Sequence, residues 1–217
     1  MFLLNPFVFS QSGSQSGYVL DPAKVKLLLH FDGNYNDSSP NNHAMTGGGN
    51  ISIDATDTKF GSGKLRFGIE PRNGYLMTNF FFNFGDKQPF TLCFWAKEGD
   101  GSGCYATNTL FELNRSGIFA FHNEPPLYDN WIFTHLLVED TSNWVHIAVV
   151  ADGNRIKGYL GGVQQFDIAH PNWPSENSFL EFGPGFGHNN GTLDEVLLYS
   201  EALWTSDFTP PAAPFTY

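Results

Sequence analysis

Four oxygen-bearing side chains from the two ends of the sequence could together bind one cation. Asp32, Asn34 and Asp37 lie in an early loop rich in turn-forming residues, and Asp194 lies in a late apolar segment, Gly191–Tyr199. Calcium takes roughly six to eight oxygen ligands, from carboxylates, amides, carbonyls and water, in an adaptable cage. The sequence therefore predicts calcium as a cofactor at these four residues. The alternative is that the same side chains cap turns and accept backbone N–H groups.

The position of Asp194 in its segment predicts what its carboxylate contacts. Gly191–Tyr199 has the composition of a strand, in which successive side chains point to opposite faces. Asp194 would then share a face with Val196 and Leu198, at the rim of an apolar layer. A buried, unpaired charge is costly, so we expect this carboxylate to meet a cation or several backbone N–H donors. We also expect the two ends of the domain to meet around Asp194.

Aromatic residues in turn-rich stretches suggest a second kind of site. Tyr128 and Trp131 flank an acid and an amide, and Trp173 lies between an asparagine and a proline. Sugars stack on aromatic rings and form hydrogen bonds with such polar groups, so these three residues are predicted to bind a glycan. The alternative is that the rings fill the core, because the chain contains 22 phenylalanines.

The elements that would position these residues are strands. Alternating residues recur in short segments such as Lys24–Phe31 and Trp144–Val150, with glycine and asparagine turns between them. No helix of ordinary length is indicated. A chain of 217 residues with this pattern predicts one all-β domain, a two-sheet antiparallel sandwich over residues 23–217.

Residues 1–22 are predicted to form an extended arm outside this domain. A flexible Gly/Ser-rich linker, residues 11–17, follows an apolar tip that consists of Phe2, Leu3, Leu4, Phe7 and Phe9. An apolar tip on a flexible tether favours an anchor to a neighbouring subunit or a larger assembly, or else a strand packed on its own domain. The tip has no early Lys or Arg and no clear cleavage site, so we expect no signal peptide and synthesis in a cytoplasm.

Composition limits the partners. The net charge is −11, which disfavours nucleic acid, since nucleic-acid binding depends on basic contacts. No apolar run approaches the roughly 18 residues of a membrane helix, so membrane insertion is not expected. Cys93 and Cys104 do not form a disulfide framework, although one cross-strand bridge between them stays open.

Seven segments, in this order along the chain, resemble the markers of a known family. They are Leu27–Gly33, Asp37–Asn41, Lys59–Gly63, Phe90–Trp95, Trp144–Ala148, Leu193–Val196 and Phe208–Pro211. Together they resemble laminin-G-like, concanavalin A-like jelly-roll domains, most closely the versions in bacteriophage virion and tail proteins. The resemblance implies a concanavalin A-like jelly roll with the N-terminal arm outside it. The turns at Phe67–Arg72 and Leu160–Val163 depart from the family pattern.

The resemblance also implies a function. The expected protein is a non-enzymatic, homo-oligomeric virion component, which contacts other virion proteins through its arm and displays a lectin-like jelly roll for host-surface glycan. One alternative is a calcium-assisted carbohydrate-binding module of a non-viral bacterial protein. A glycoside hydrolase is the minor alternative, because hydrolases on this fold carry Glu-x-Asp-x-Glu on one strand face, whereas Asp194 and Glu195 are adjacent and expected on opposite faces.

Overall fold

The computed structural model describes residues 18–68, 74–97, 103–106, 111–114, 118–122, 131–135, 142–171, 177–183 and 191–217. For residues 103–106, 111–114, 118–122, 131–135 and 177 it describes only the backbone. These residues form antiparallel sheets and one short 3-10 helix, Pro22–Lys24. In this part of the chain no helix is long and apolar enough to cross a membrane.

The larger sheet has eight strands within the described residues. Its order is β14-β13-β12-β7-β17-β4-β3, and β1 also pairs with β17. The strands are β1 (Val25–Leu29), β3 (Ile51–Asp54), β4 (Lys64–Phe67), β7 (Phe90–Lys97), β12 (Val145–Ala151), β13 (Arg155–Leu160), β14 (Val163–Ala169) and β17 (Gly191–Tyr199).

The described backbone forms two further sheets. The seven-stranded sheet has the order β11-β10-β9-β8-β16-β5-β2, and β15 pairs with β6 in a two-stranded ladder. The strands are β2 (Met45–Gly48), β5 (Tyr75–Thr78), β6 (Phe82–Asn83), β8 (Gly103–Ala106), β9 (Phe111–Asn114), β10 (Ile118–His122), β11 (Trp131–His135), β15 (Asn177–Ser178) and β16 (Leu180–Phe182).

The main core is built from side chains of both large sheets. Leu92 and Phe94 of β7 pack in one buried cluster with Leu76 of β5 and Phe182 of β16. Strand alternation supplies these residues, because every second side chain of each strand faces the opposite sheet. The predicted fold class, an all-β sandwich of two antiparallel sheets, is confirmed.

Strand β17 joins the early and late parts of the domain. One of its edges pairs with β7, while the other pairs with β4 at Gly191–Leu193 and with β1 at Val196–Tyr199. The predicted meeting of the two ends of the domain is therefore confirmed. The contact between the two ends also includes an isolated parallel bridge between Val19 and Thr216.

A β-bulge interrupts β17 where its partner changes from β4 to β1. The pairing with β7 shifts between Asp194 and Leu197, and Glu195 has a φ of 52°. The extra residue reverses the alternation, so Leu193, Val196 and Leu198 all lie in the main core. The prediction that Asp194 shares a face with Val196 and Leu198 was therefore wrong, since Asp194 lies on the outer face of the eight-stranded sheet.

A second buried cluster covers this outer face. Trp204 and Phe215 of the C-terminal segment pack there with Leu20, Tyr159 and Cys93. Tyr18 and Leu20, which fall within the predicted arm, are thus packed on the domain, whereas the predicted anchor residues lie outside the described residues. Cys93 is buried and free, so the open possibility of a bridge to Cys104 does not apply.

Candidate functional site

Asp194 is fully buried and accepts three backbone hydrogen bonds. Its Oδ2 accepts from Lys59 N at 2.9 Å and from Phe60 N at 3.2 Å, and its Oδ1 accepts from Glu195 N at 2.9 Å. The prediction that this carboxylate meets backbone N–H donors is confirmed. Burial raises the pKa of Asp194 to about 7, although the backbone donors act in the opposite direction. Asp194 thus fastens the loop before β4 to the bulge.

Asp32 holds the same loop from the end of β1. Its Oδ1 accepts hydrogen bonds from the backbone N–H and the hydroxyl of Ser62. Gly61 between these contacts has a φ of 56°, and a Cβ there would lie 2.2 Å from Asp32 Oδ1. A side chain at position 61 is therefore excluded, and Asp32 and Asp194 together fix the path of Lys59–Gly63.

The other two predicted calcium ligands are used elsewhere. Asp37 accepts hydrogen bonds from the backbone N–H groups of Leu28, Ser39 and His43 and from the Ser39 hydroxyl. Asn34 bonds within its own turn, where its Oδ1 accepts from Asn36 N at 2.8 Å. These contacts match the alternative in which the side chains cap turns.

The predicted ligands do not fit a calcium cage. Their oxygens accept from different backbone groups, whereas a cage needs them to point at one position. Among the described residues, no group of three or more His, Cys, Asp or Glu side chains could hold a metal ion. Calcium binding stays a prediction, and no role in function is assigned to the ion.

The sequence reasoning missed an ion pair beside Asp194. His30 Nδ1 lies 2.7 Å from Glu195 Oε1, and Glu195 Oε2 accepts from Phe215 N at 3.3 Å. Burial lowers the pKa of His30, but the hydrogen bond and charge of Glu195, with Asp32 and Asp194, outweigh it, so this pKa is raised. The bulge turns Glu195 toward the same outer side as Asp194, which corrects the expectation of opposite faces. Both carboxylates are buried, and their hydrogen bonds join separate segments of the fold.

His146 lies buried in an aromatic box on the same sheet face. Its ring is 5.2 Å from Trp95, 5.6 Å from Trp204 and 5.7 Å from Phe208, centroid to centroid. Within the described part of the chain, neither ring nitrogen has a hydrogen-bond partner. Burial lowers the pKa of His146 to about 3, so the ring is neutral at pH 7. The His146 side chain therefore fills space between aromatic rings, where it is too buried to contact a ligand.

The predicted glycan-binding residues are placed only in part. Trp131 is the first residue of β11, and its backbone pairs with His122 of β10. Its side chain belongs to the part of the chain that is not described. Tyr128 and Trp173 lie outside the described residues.

An exposed aromatic group lies at the end of β5 and was not predicted. We call it the Phe81 patch, and it consists of Thr46, His43, Asn79, Phe80, Phe81 and Phe179. The Phe81 side chain is 64% exposed and meets the Phe179 ring edge-on, with 6.2 Å between centroids. Phe80 stacks on His43 at 3.7 Å and 15°. The run Asn79–Asn83, three phenylalanines between asparagines, was the signal in the sequence.

Hydrogen bonds of the Thr78 and Thr46 hydroxyls and the β6–β15 ladder hold the patch in place. The Thr78 hydroxyl donates to the Phe80 carbonyl at 3.1 Å and accepts from Leu180 N at 3.0 Å. Phe82 pairs with Ser178 in the antiparallel β6–β15 ladder, so Phe81 and Phe179 lie opposite each other, one residue beyond that pair. Thr46 Oγ1 donates to Asn79 Oδ1 at 2.8 Å. The patch thus offers ring faces next to an amide and a hydroxyl on a preformed surface.

Comparison with known proteins identifies the family. The family model described as the concanavalin A-like lectin/glucanases superfamily, of laminin-G type, matches residues 70–207, more than half of the chain. The chain belongs to this superfamily. The resemblance drawn from the sequence motifs is confirmed at that level. No curated protein matches the sequence.

Solved structures share the fold of this superfamily member. The receptor-binding domain of botulinum neurotoxin type G superposes with a TM-score of 0.61 at 13% identity, covering 83% of this chain and 49% of that one. Domain 4 of an extracellular arabinanase from Geobacillus stearothermophilus, solved with arabinotriose, gives 0.62 at 16% identity, covering 83% and 94%. The chain thus spans about half the length of the neurotoxin domain. At these identities the likeness shows the fold alone.

Proposed function

We propose that this protein is a non-enzymatic, lectin-like module of a bacteriophage particle, which binds host-surface glycan through the Phe81 patch. The observation that carries this proposal is the exposure of Phe81 beside Phe179, Asn79 and the His43–Phe80 stack. Burying a phenylalanine ring is favourable by roughly 1.5–3 kcal/mol, so an exposed ring in a fixed group favours a partner. The mixture of ring faces with an amide and a hydroxyl suits a sugar.

Membership of a lectin and glucanase superfamily supports the same proposal. Among the solved structures that share the fold, the arabinanase domain is in complex with arabinotriose. The two adjacent acids considered for hydrolysis, Asp194 and Glu195, are buried and hydrogen-bonded within the fold. This favours binding over hydrolysis at that position.

The test is a glycan array followed by titration calorimetry of the best ligand. We expect wild-type protein to bind and Phe81→Ala to bind about fivefold more weakly or worse, since stacking on one ring contributes on the order of 1 kcal/mol. Val163→Ala is the matched control, because Val163 is also apolar and 53% exposed but lies on β14. Absence of any glycan binding, or equal loss in both variants, would refute the proposal.

The proposal that the protein belongs to a bacteriophage particle rests on the predicted N-terminal arm, residues 1–22. Tyr18 and Leu20 are fastened to the C-terminal segment, with Leu20 N donating to Thr216 O at 2.8 Å, so the domain end of the predicted arm has a fixed position. We propose that Phe2, Leu3, Leu4, Phe7 and Phe9 pin the domain to a virion protein. Deleting residues 1–17 should leave a folded domain that is no longer incorporated into particles. Unchanged incorporation would exclude the anchor.

A further inference from the structure

We propose that the Phe81 patch selects an uncharged glycan and rejects sialylated or uronic acid-containing ones. This inference rests on the proposed function and names its substrate class. It follows from where the charges of the described residues lie, and the argument starts with the cations that an acidic sugar would need. Charge-assisted hydrogen bonds from Arg or Lys are among the strongest means by which proteins recognise a carboxylate.

The described arginines and most of the described lysines already make contacts elsewhere in the fold. Arg155 and Arg66 pair with Asp167 and Asp54, at 2.7 Å and 3.3 Å. Other described lysines also make contacts away from the patch: Lys24 with Glu201, Lys26 with the Ala23 carbonyl, Lys59 with the Trp95 ring, Lys64 with Asp54, Lys97 with Asp57 and Lys157 with the Thr205 carbonyl. Among the described lysines and arginines, this leaves Lys87, which is exposed in the loop before β7.

The fixed charges next to the patch are negative. The buried carboxylate of Asp37 accepts from the backbone N–H of His43 at 2.9 Å. Glu181 of β16 pairs with Met77 of β5, which in turn pairs with Thr46 of β2. The whole chain carries a net charge of −11. An anionic sugar would approach against this field, whereas a neutral sugar would not.

The remaining patch groups match a neutral sugar. The exposed ring of Phe81 has a negative face that attracts the C–H groups of a sugar ring. The Asn79 amide, whose oxygen accepts from Thr46, keeps its NH₂ group for a sugar hydroxyl. Ring stacking combined with amide hydrogen bonds, without a cation, distinguishes a neutral saccharide from an acidic one.

The experiment compares matched glycans on one array. Neutral oligosaccharides are printed beside the same oligosaccharides with a terminal sialic or uronic acid, and binding of the full-length chain is measured at 50 mM and 500 mM NaCl. We expect neutral members to bind at least about tenfold better than acidic ones at low salt. We also expect binding of the neutral members to change less than twofold with salt.

Two variants separate failure of the inference from failure of the proposed function. Phe81→Ala should weaken binding of neutral glycans by about fivefold or more, and Lys87→Gln should leave it unchanged. Binding of acidic glycans that is lost in Lys87→Gln or at high salt would overturn the inference while keeping a glycan-binding patch. No glycan binding, or a dimer in sedimentation velocity that dissociates in Phe81→Ala, would overturn both.

Discussion

Glu195 and His30 form an ion pair, 2.7 Å between Oε1 and Nδ1, that joins the bulge of β17 to the end of β1. The Glu195 backbone has a φ of 52°, which is unfavourable for a residue with a Cβ. Its carboxylate compensates by also accepting from Phe215 N at 3.3 Å. One strained residue thus connects the first strand, the last strand and the C-terminal segment.

Replacing Glu195 with glutamine should destabilise the fold. We expect Glu195→Gln to lower the free energy of unfolding by about 1–3 kcal/mol, because the amide removes the charge and one acceptor from a buried group. The raised pKa of His30 should fall, as shown by NMR titration of its ring. Stability from this pair is present below the ordinary histidine pKa of about 6.5 and is lost as pH rises through the raised pKa.

The control for this change is Glu201→Gln, which removes the exposed partner of Lys24. Exposed ion pairs contribute little, so urea unfolding should show a smaller effect for this variant. Equal effects of the two variants, or an unchanged pKa of His30 in Glu195→Gln, would contradict the assigned contact.

The two carboxylate oxygens of Asp194 should be needed for stability, because they accept backbone hydrogen bonds. We expect Asp194→Asn to lower the free energy of unfolding by about 1–3 kcal/mol, because one amide NH₂ would face backbone N–H donors. The pKa of Asp194 is raised to about 7, so the folded state holds this proton more tightly than the unfolded chain. The contribution of Asp194 to stability therefore declines between about pH 4 and pH 7.

The measurement is urea unfolding of both proteins at pH 5 and pH 8. The advantage of the wild type over Asp194→Asn should be larger at pH 5. Asp86→Asn serves as the control, because Asp86 is exposed in a turn and has a φ of 53°, which asparagine tolerates. An effect that grows from pH 5 to pH 8 would refute the raised pKa.

His146 should make the protein sensitive to acid. Its pKa of about 3 lies below the ordinary value, so stability is complete above about pH 6.5 and is lost as pH falls toward 3. We expect His146→Phe to raise the free energy of unfolding by about 1 kcal/mol at pH 7, since it removes two buried nitrogens without partners among the described residues. Thermal unfolding at pH 7.5 and pH 5 should show a flatter pH dependence for the variant. Parallel pH profiles would disprove this role.

The two glycines between β13 and β14 provide a matched pair. Both have positive φ, 58° at Gly161 and 84° at Gly162, as in a tight hairpin turn. A Cβ at Gly161 meets nothing within 4 Å, whereas at Gly162 it would lie 1.9 Å from the Phe208 carbonyl oxygen. We expect Gly161→Ala to cost about 1–2 kcal/mol of unfolding free energy from backbone strain alone.

Gly162→Ala should lower the free energy of unfolding more than Gly161→Ala does. The added Cβ would also displace the C-terminal segment from its contact with the turn. Urea unfolding would give the two free energies, and near-UV circular dichroism would report displacement of the Trp204–Phe208 stack, which has 3.9 Å between centroids. Equal costs in the two variants, with unchanged spectra, would mean that the segment does not press on the turn.

The amino-acid sequence determined the fold class and the meeting of the two ends of the domain. Short β-prone apolar segments bounded by turn residues, such as Phe90–Lys97 and Val145–Ala151, indicated strands, and the structure buries almost every residue of both. It also predicted that Asp194 takes either a cation or backbone donors, because an unpaired buried carboxylate is costly, and the structure shows backbone donors. These conclusions follow from local spacing and burial cost, which a sequence contains.

Only the tertiary structure decided which way the side chains of β17 face and what the acidic residues contact. The bulge at Glu195 arises where β17 exchanges β4 for β1, a junction between segments far apart in the chain, and it reverses the alternation. For the same reason Asp32, Asp37 and Asp194 accept hydrogen bonds from separate backbone groups. The Phe81 patch likewise depends on β15 and β16 packing beside β5 and β6, so no local pattern could place Phe179 next to Phe81.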